Sequence, residues 1–316
     1  MKDKQVLKPD YDKLGLHTKG VTLPHSSDKA APAAAVSNID KWLTWPQYLL
    51  PQHLFSKLMY RLCRCRWPWL KNAMIKAIIK QYHVDMSLAQ QQDINAFEHF
   101  NAFFTRALRP EVRPLAASEL LSPVDGNISQ IGAIQGGRII QAKGQDYSVA
   151  ELLGNDAAMA EQFAGGQFAT IYLSPRDYHR IHMPCAGRLQ HMRYVPGKLF
   201  SVNPRTVRAV PRVFARNERL VTIYQTDFGP MAVILVGAIF VGSMQTVWQN
   251  GEITPPYGKQ IRDWQYQTDD IHLAKGAEMG RFNMGSTVVL LLPPGAPAWR
   301  QTLTADTPLI MGEALS

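Results

Sequence analysis

Met284-Gly285-Ser286-Thr287-Val288-Val289-Leu290-Leu291-Leu292 is the stretch on which the reading of this chain turns. A run of Val and Leu this short reads as a buried strand rather than a helix. The Gly-Ser step ahead of it is a poor helix signal and gives the strand an abrupt start. Glycine leaves its own carbonyl unhindered, and its backbone is free to adopt unusual conformations. The hydroxyl of Ser286 can attack that carbonyl, and a cut after Gly285 would release a fragment that begins at Ser286. A serine at a new N-terminus can become a pyruvoyl group, an electrophilic carbonyl that no encoded side chain supplies. Taken alone, Gly-Ser-Thr is more often a plain turn or strand end.

The same texture extends backward from this run. Short Val/Ile/Leu segments alternate with Gly, Pro and Asn from Leu120 onward, at 137–142, 168–173 and 220–225. That pattern predicts a β-rich core. Ala232–Val236 and Ala238–Val241 read as short buried strands. They lie in an uncharged stretch, 228–251, long enough to cross a bilayer. Gly229, Pro230, Gly237, Gly242 and Gly251 interrupt it, so a spanning helix is not expected. A helix over 149–163 breaks the series of strands.

Upstream the periodicity changes. Leu70, Met74, Ile75, Ile78, Ile79 and Tyr82 share one arc of a helix, with Lys76 and Lys80 opposite. A short helix is expected over 87–92, and the aromatics of 97–108 also fall at helical spacing. The expected fold class is α+β: a helical, membrane-associating portion over 37–110, then a β-rich catalytic core over 111–316. Residues 1–36, polar with an Ala-Pro tract, are expected to be disordered. The sequence contains no internal repeat, phosphate loop, dinucleotide fingerprint or HExxH pair.

The net charge of +9 is unevenly placed. Eight Lys/Arg and no acid lie between Lys41 and Lys80, with four of the seven tryptophans: Trp42, Trp45, Trp67 and Trp69. Cations mixed with indole rings suit an anionic membrane surface, where the rings sit at headgroup depth. The competing readings are a packed helix with solvated lysines, and nucleic acid, for which no motif is present. Pro46, Pro51 and Pro68 argue against a spanning helix in this region. Residues 1–40 lack the apolar segment of a signal peptide. Cys63, Cys65 and Cys185 have no framework spacing, which favours a reducing compartment.

Two further segments bring chemistry. One is Ser122-Pro123-Val124-Asp125-Gly126-Asn127-Ile128-Ser129. The other runs from Tyr172 through Arg176-Asp177-Tyr178-His179-Arg180-Ile181-His182 to Gly187. With Ser286 they supply an acid, a histidine and a hydroxyl, the parts that orient a base and deprotonate a weak nucleophile. Asp125 also fits a plain Asx turn before Gly126-Asn127. His179, His182 and Cys185 are evenly spaced soft ligands, but no fourth ligand accompanies them and no metal is expected. Other long segments are collinear with these: Phe100-Asn101-Ala102-Phe103-Phe104, Val195–Asn203, Phe214-Ala215-Arg216-Asn217-Glu218-Arg219 and Gly280-Arg281-Phe282. With them the chain resembles the bacterial type of the phosphatidylserine decarboxylase family from about Phe100 to Leu292. It departs at Met284, where the family usually carries leucine, a mild change in volume.

The resemblance implies decarboxylation of phosphatidylserine to phosphatidylethanolamine and CO2. Ser286 would attack the Gly285 carbonyl, and elimination from the resulting ester would leave the pyruvoyl group. His182 is the expected base and Asp125 the acid that orients it. The substrate amine would form a Schiff base with the pyruvoyl carbonyl, the electron sink for loss of CO2. His179 is the expected donor of the proton that follows. The two chains, 1–285 and 286–316, would remain together as a heterodimer, with further pairing of such heterodimers left open. Arg176 and Arg180 either bind the lipid phosphate or stand solvated. Ser201 either touches the substrate carboxylate or caps the next segment. The resemblance also implies a peripheral protein on the cytoplasmic face of a bacterial inner membrane. Two rival functions are a Ser-His-Asp lipid hydrolase, for which the G-x-S-x-G elbow is missing, and a non-enzymatic lipid-binding protein.

Overall fold

Four helices lead into the sheet: α1 (Asn38–Thr44), α2 (Gln52–Cys63), α3 (Pro68–Tyr82) and α4 (Phe100–Phe104). The structure, a computed structural model, describes residues 37–142, 144–240, 243–253, 259–266, 271–285 and 287–316. From Gly126 the chain is mostly strand: β1 (Gly126–Ala133), β2 (Arg138–Ala142), β3 (Gln145–Ser148), β4 (Gln167–Tyr172), β5 (Arg180–His182) and β6 (Gly187–Val195). Then come β7 (Arg219–Thr226), β8 (Gly229–Val236), β9 (Met244–Thr246), β10 (Arg262–Gln265), β11 (His272–Leu273), β12 (Glu278–Phe282), β13 (Thr287–Leu292) and β14 (Pro308–Leu309). Short helices α5 (Val149–Leu152), α6 (Ala157–Glu161), α7 (Pro204–Ala209) and α8 (Val213–Arg216) fill the connections.

The main sheet runs β10-β6-β7-β8-β13-β4-β1-β14, with β11 also on β6. Its ladders are antiparallel. The run read as a buried strand is β13, between β8 and β4, with Thr287 opposite both Val236 and Tyr172. All its residues are buried. Val288, Leu290 and Leu292 face one core, while Val289 and Leu291 face another on the opposite side of the sheet. Covered on both faces, the strand has no reason to alternate polar and apolar residues. A smaller sheet, β5-β12-β9, holds His182 and Gly280 close to the start of β13. Past β13 the chain returns through Leu309 opposite Gly126 and Ala314 opposite Leu121.

Several expected elements are shorter. The predicted helix over 149–163 is two pieces, because Gly154 (φ 83°) and Asn155 (φ 65°) turn the chain between them. Only a 3-10 turn, Met86–Leu88, forms where a helix over 87–92 was expected. The aromatic stretch 97–108 is helical only over Phe100–Phe104. Ala238–Phe240 is not a strand: Phe240 has φ 69°, and its N–H bonds to the Ser56 hydroxyl of α2. Val241 and the predicted disordered segment 1–36 lie outside the described residues.

Helix α2 is amphipathic the wrong way round for a soluble helix. Leu54, Phe55, Leu58 and Leu62 point outward, each at least 40% exposed, while Gln52, Ser56 and Cys63 are buried. Gln52 Oε1 accepts from Leu199 N, and the His53 ring donates to the Gly197 carbonyl, so the polar face is stitched to the β core. Trp42, Trp45, Trp67 and Trp69 extend the outward apolar surface. Among the described residues no helix is long and apolar enough to cross a membrane.

Gly126 begins β1 with φ 157°, and a methyl on its Cα would lie 2.4 Å from the Tyr172 carbonyl oxygen. That oxygen is backbone within the β1–β4 pairing and has little room to retreat. Gly126→Ala should therefore destabilise the protein by at least the roughly 1–3 kcal/mol of ordinary overpacking. Urea unfolding of the variant in an uncut Ser286→Ala background checks this, and an unchanged midpoint would contradict it.

Candidate active site

Strand β4 ends at Tyr172, and the next residues fold into a tight turn. Ser174 N donates to Asp177 Oδ2 at 2.6 Å, and Asp177 N donates to Ser174 O at 2.9 Å. The turn presents the Asp177 carbonyl to His179. A carbonyl only accepts, so His179 Nδ1 carries the proton of their 2.7 Å hydrogen bond. Nε2 is then the bare nitrogen. Among the described residues it is buried without a hydrogen-bond partner, and the whole residue is 0% exposed. The Phe104 ring lies against the imidazole, with centroids 4.1 Å apart. Burial lowers the His179 pKa from 6.5 to about 3, overcoming the opposing pull of the Asp177 carbonyl.

This bare nitrogen lies close to the proposed cut. A methyl placed on Gly285 Cα would sit 4.0 Å from His179 Nε2 and 4.0 Å from the Leu173 carbonyl. Ser286 itself lies outside the described residues, flanked by Gly285 and Thr287.

His182 is held differently. Its Nδ1 donates to the Gly276 carbonyl at 2.7 Å, which leaves Nε2 to accept from the Tyr178 hydroxyl at 3.1 Å. Both nitrogens are engaged, and burial lowers its pKa. Asp125 does not orient it by a hydrogen bond. The Asp125 carboxylate is held by the Arg113 guanidinium through both oxygens and accepts from Met311 N at 2.8 Å. Among the described residues no hydrogen bond joins Asp125 to either histidine. In this structure the hydrogen bonds of the Asp125 carboxylate go to Arg113 and to the C-terminal return at Met311. The link is through backbone, since His182 N donates to Pro123 O, two residues before Asp125.

The remaining candidates separate. Arg176 lines a cavity of about 170 Å³ together with Arg106, Arg113, Asp125, Asp177 and Tyr178. Arg180 turns elsewhere, donating to Thr105 O at 3.0 Å and pairing with Glu278 at 2.9 Å. Ser201 N bonds to Gln47 Oε1, and its hydroxyl accepts from Asn203 N, as a local cap does. No contact among the described residues brings Ser201 to a histidine. Nor do three or more His, Cys, Asp or Glu among them gather as a metal site.

Sequence reasoning missed three contributors. Asp177 builds the turn behind His179, and Arg113 holds Asp125; neither has a local signal beyond its charge. Glu218 stood only as part of a motif. It is 1% exposed, and its carbonyl accepts from Gly237 N, the residue after Val236. Burial pushes the Glu218 carboxyl up to about 8.

The fold brings a buried imidazole, that of His179, to the end of one strand of the main sheet, beside Gly285. Comparison with known proteins narrows the class. The sequence model of the phosphatidylserine decarboxylase family matches residues 100–316, and a second model, PSD, matches 43–83. A phosphatidylserine decarboxylase proenzyme of Pseudomonas fluorescens is 55% identical over 85% of this chain and 94% of its own length. A proenzyme of the same name from Delftia acidovorans is 57% identical over 81% of this chain and 90% of its own length. That of Azotobacter vinelandii is 52% identical over 87% and 98% respectively. The chain belongs to the phosphatidylserine decarboxylase family. The lipid-hydrolase and non-enzymatic readings give way to that membership.

His179 is neutral when folded and takes a proton near pH 6.5 when unfolded. The unfolded state therefore binds more protons below that pH, and the group removes stability as pH falls through 6.5 toward 3. In a Ser286→Ala protein, the His179 ring resonances should stay unshifted from pH 8 to about pH 5. A titration centred at the ordinary imidazole value would contradict the environment described here.

Proposed function

We propose that this chain cuts itself between Gly285 and Ser286 and then decarboxylates phosphatidylserine to phosphatidylethanolamine at an anionic membrane surface. The bare Nε2 of His179 beside Gly285 carries this reading. An unprotonated base, screened from water and aimed at the scissile peptide, suits removal of the Ser286 hydroxyl proton. The oxygen then attacks the Gly285 carbonyl and displaces the backbone nitrogen, giving an ester. Elimination across Cα–Cβ releases the Gly285 carboxylate and leaves a dehydroalanine. Its hydrolysis releases ammonia and leaves the pyruvoyl group. His182, with both nitrogens engaged, is less suited to that first proton, so the roles expected from sequence are exchanged in this proposal.

The residues present fit a pyruvoyl group at position 286, because a buried nitrogen, His179 Nε2, that has no hydrogen-bond partner among the described residues lies near the preceding Gly285. The group supplies an electrophilic carbonyl that binds the substrate amine and takes up the electron pair left by departing CO2. The chain supplies the rest. Tyr178 and His182 form a hydrogen-bonded pair that can hold and move a proton, and His182 is the proposed donor to the substrate carbon. Arg176, largely exposed at the edge of the neighbouring cavity, is the guanidinium proposed to receive a phosphate or carboxylate, while Arg113 there is already paired with Asp125. Asp125 ties the C-terminal fragment to the main chain through Met311 N, so the two chains stay together as a heterodimer.

The outward apolar face of α2 and its neighbouring tryptophans support the membrane part of the proposal. So many exposed apolar side chains on one short stretch suit a docking face, and the cations of the same stretch suit anionic lipid. Peripheral attachment to the cytoplasmic face of a bacterial inner membrane is the setting that fits.

Two outcomes test this function. His179→Ala should leave the chain mostly uncut after Gly285, whereas His182→Ala should be cut yet turn over about 10²–10⁴-fold more slowly per cut chain. A denaturing gel and a CO2-release assay on the two variants check this, and the opposite pattern would restore the original roles. Leu58→Ser with Trp69→Ser should weaken flotation with anionic vesicles by about tenfold or more, given roughly 1.5–3 kcal/mol for each apolar side chain buried. Parental binding should also fall as salt shortens the screening length to about 10 Å at 0.1 M. Equal parental binding to neutral and anionic vesicles at low salt would rule out the electrostatic part.

A further inference from the structure

The three residues before Gly285 are gripped from different sides. Phe282 N donates to His179 O at 3.0 Å. Asn283 is 2% exposed and uses both ends of its amide: Nδ2 donates to Ser243 Oγ at 2.6 Å, and Oδ1 accepts from Asn101 Nδ2 at 2.9 Å. Its backbone N–H also donates to Ser243 O at 2.9 Å. Met284 reaches into the cluster formed by the N-terminal helices, where its sulfur lies 3.1 Å from Cys63 Sγ. The Ser243 hydroxyl donates to Glu252, and the same carboxylate is paired with Arg64, the residue after Cys63. Two points of the helical layer, the end of α2 and the middle of α4, are thus attached to residues 283 and 284.

The backbone shows what those attachments hold. Met284 has φ 108°, a region that a residue with a Cβ rarely occupies. Such a state persists only where its surroundings over-determine it. The strain sits one residue before the scissile carbonyl. It exists while the chain is continuous, because after scission Gly285 becomes a free terminus and Met284 can relax.

We propose that Asn101 and Asn283 are positioning residues for self-cleavage. With Cys63 packed on Met284, they hold the segment in the strained backbone state from which the Gly285–Ser286 bond is cut. The helical layer is then a working part of maturation as well as a surface for lipid. This inference rests on the reading of Gly285–Ser286 as the cut site. It goes beyond that reading in assigning the geometry of the cut to residues outside the β core. The network acts once, so it governs the rate of cutting and not turnover by chains already cut.

The test uses the full chain with Asn101→Ala, Asn283→Ala, the double variant and Met284→Gly. Cleavage half-times come from pulse-labelled protein on denaturing gels, turnover is measured per cut chain, and melting temperatures are taken in a Ser286→Ala background. Each asparagine variant should slow cleavage by about tenfold or more, the scale on which backbone strain of this kind acts. The double variant should be little slower than Asn283→Ala, because that variant already loses the Asn101–Asn283 hydrogen bond as well as the one to Ser243. Turnover per cut chain should remain within about twofold of the parent. Met284→Gly keeps φ 108° without strain but gives up the packing on Cys63, so it should cut more slowly while turnover per cut chain stays unchanged. Parental cleavage rates in all variants would overturn the proposal, as would an equal loss of turnover per cut chain. Failure of the underlying reading shows in a different lane: the parent would stay uncut, or Ser286→Ala would still be cut after Gly285.

Discussion

Strand β13 is hydrogen-bonded to β8 on one edge and β4 on the other, with side chains buried on both faces. Five Val and Leu side chains at roughly 1.5–3 kcal/mol each make it one of the larger apolar contributions in the sheet. That fixed strand also sets the position of the site. The end of β4 leads into the turn that carries Asp177 and His179, the end of β8 leads to Gly237 beside Glu218, and the start of β13 adjoins Gly285. Chemistry gathers where three neighbouring strands finish together. The smaller β5-β12-β9 sheet closes over that end and brings Phe282 N to the His179 carbonyl.

Much of this was legible in the sequence because burial on both faces leaves a plain mark. The runs at 168–173, 220–225 and 287–292 are apolar without alternation, and each is a strand of the main sheet. Elements decided by one turn were harder to read. Gly154-Asn155 ends α5 where a helix over 149–163 was expected, although that pair is itself a turn signal. Phe240 swings out of the expected strand to meet Ser56, and no local pattern announces a partner so distant in sequence.

The site was half legible. Asp125, the two histidines and Gly285-Ser286 could be chosen from their motifs, but the partners that divide their labour could not. Each histidine has a carbonyl on Nδ1, so spacing alone cannot rank them. What separates them is Tyr178 on Nε2 of His182 and its absence from His179, a difference that exists only after folding. Arg113 and Met311, far apart in the chain, claim Asp125 in the same way. The inverted face of α2 lay between these cases. Its composition suggested a lipid surface, yet only its buried Gln52 and Ser56 show which side the protein keeps.

The position of β13 gives the mature protein a memory. Before the cut the strand is one segment of a single chain and finds its place by ordinary intramolecular folding. With the proposed cut after Gly285, the middle of the sheet would belong to a separate short chain, held by hydrogen bonds, burial and the Asp125–Met311 contact. Unfolding then becomes dissociation, and reassembly depends on concentration as it does for any two-chain protein. Under that cut, the persistence of the finished enzyme would depend on how slowly its sheet opens. It is assembled once, from a chain that no longer exists.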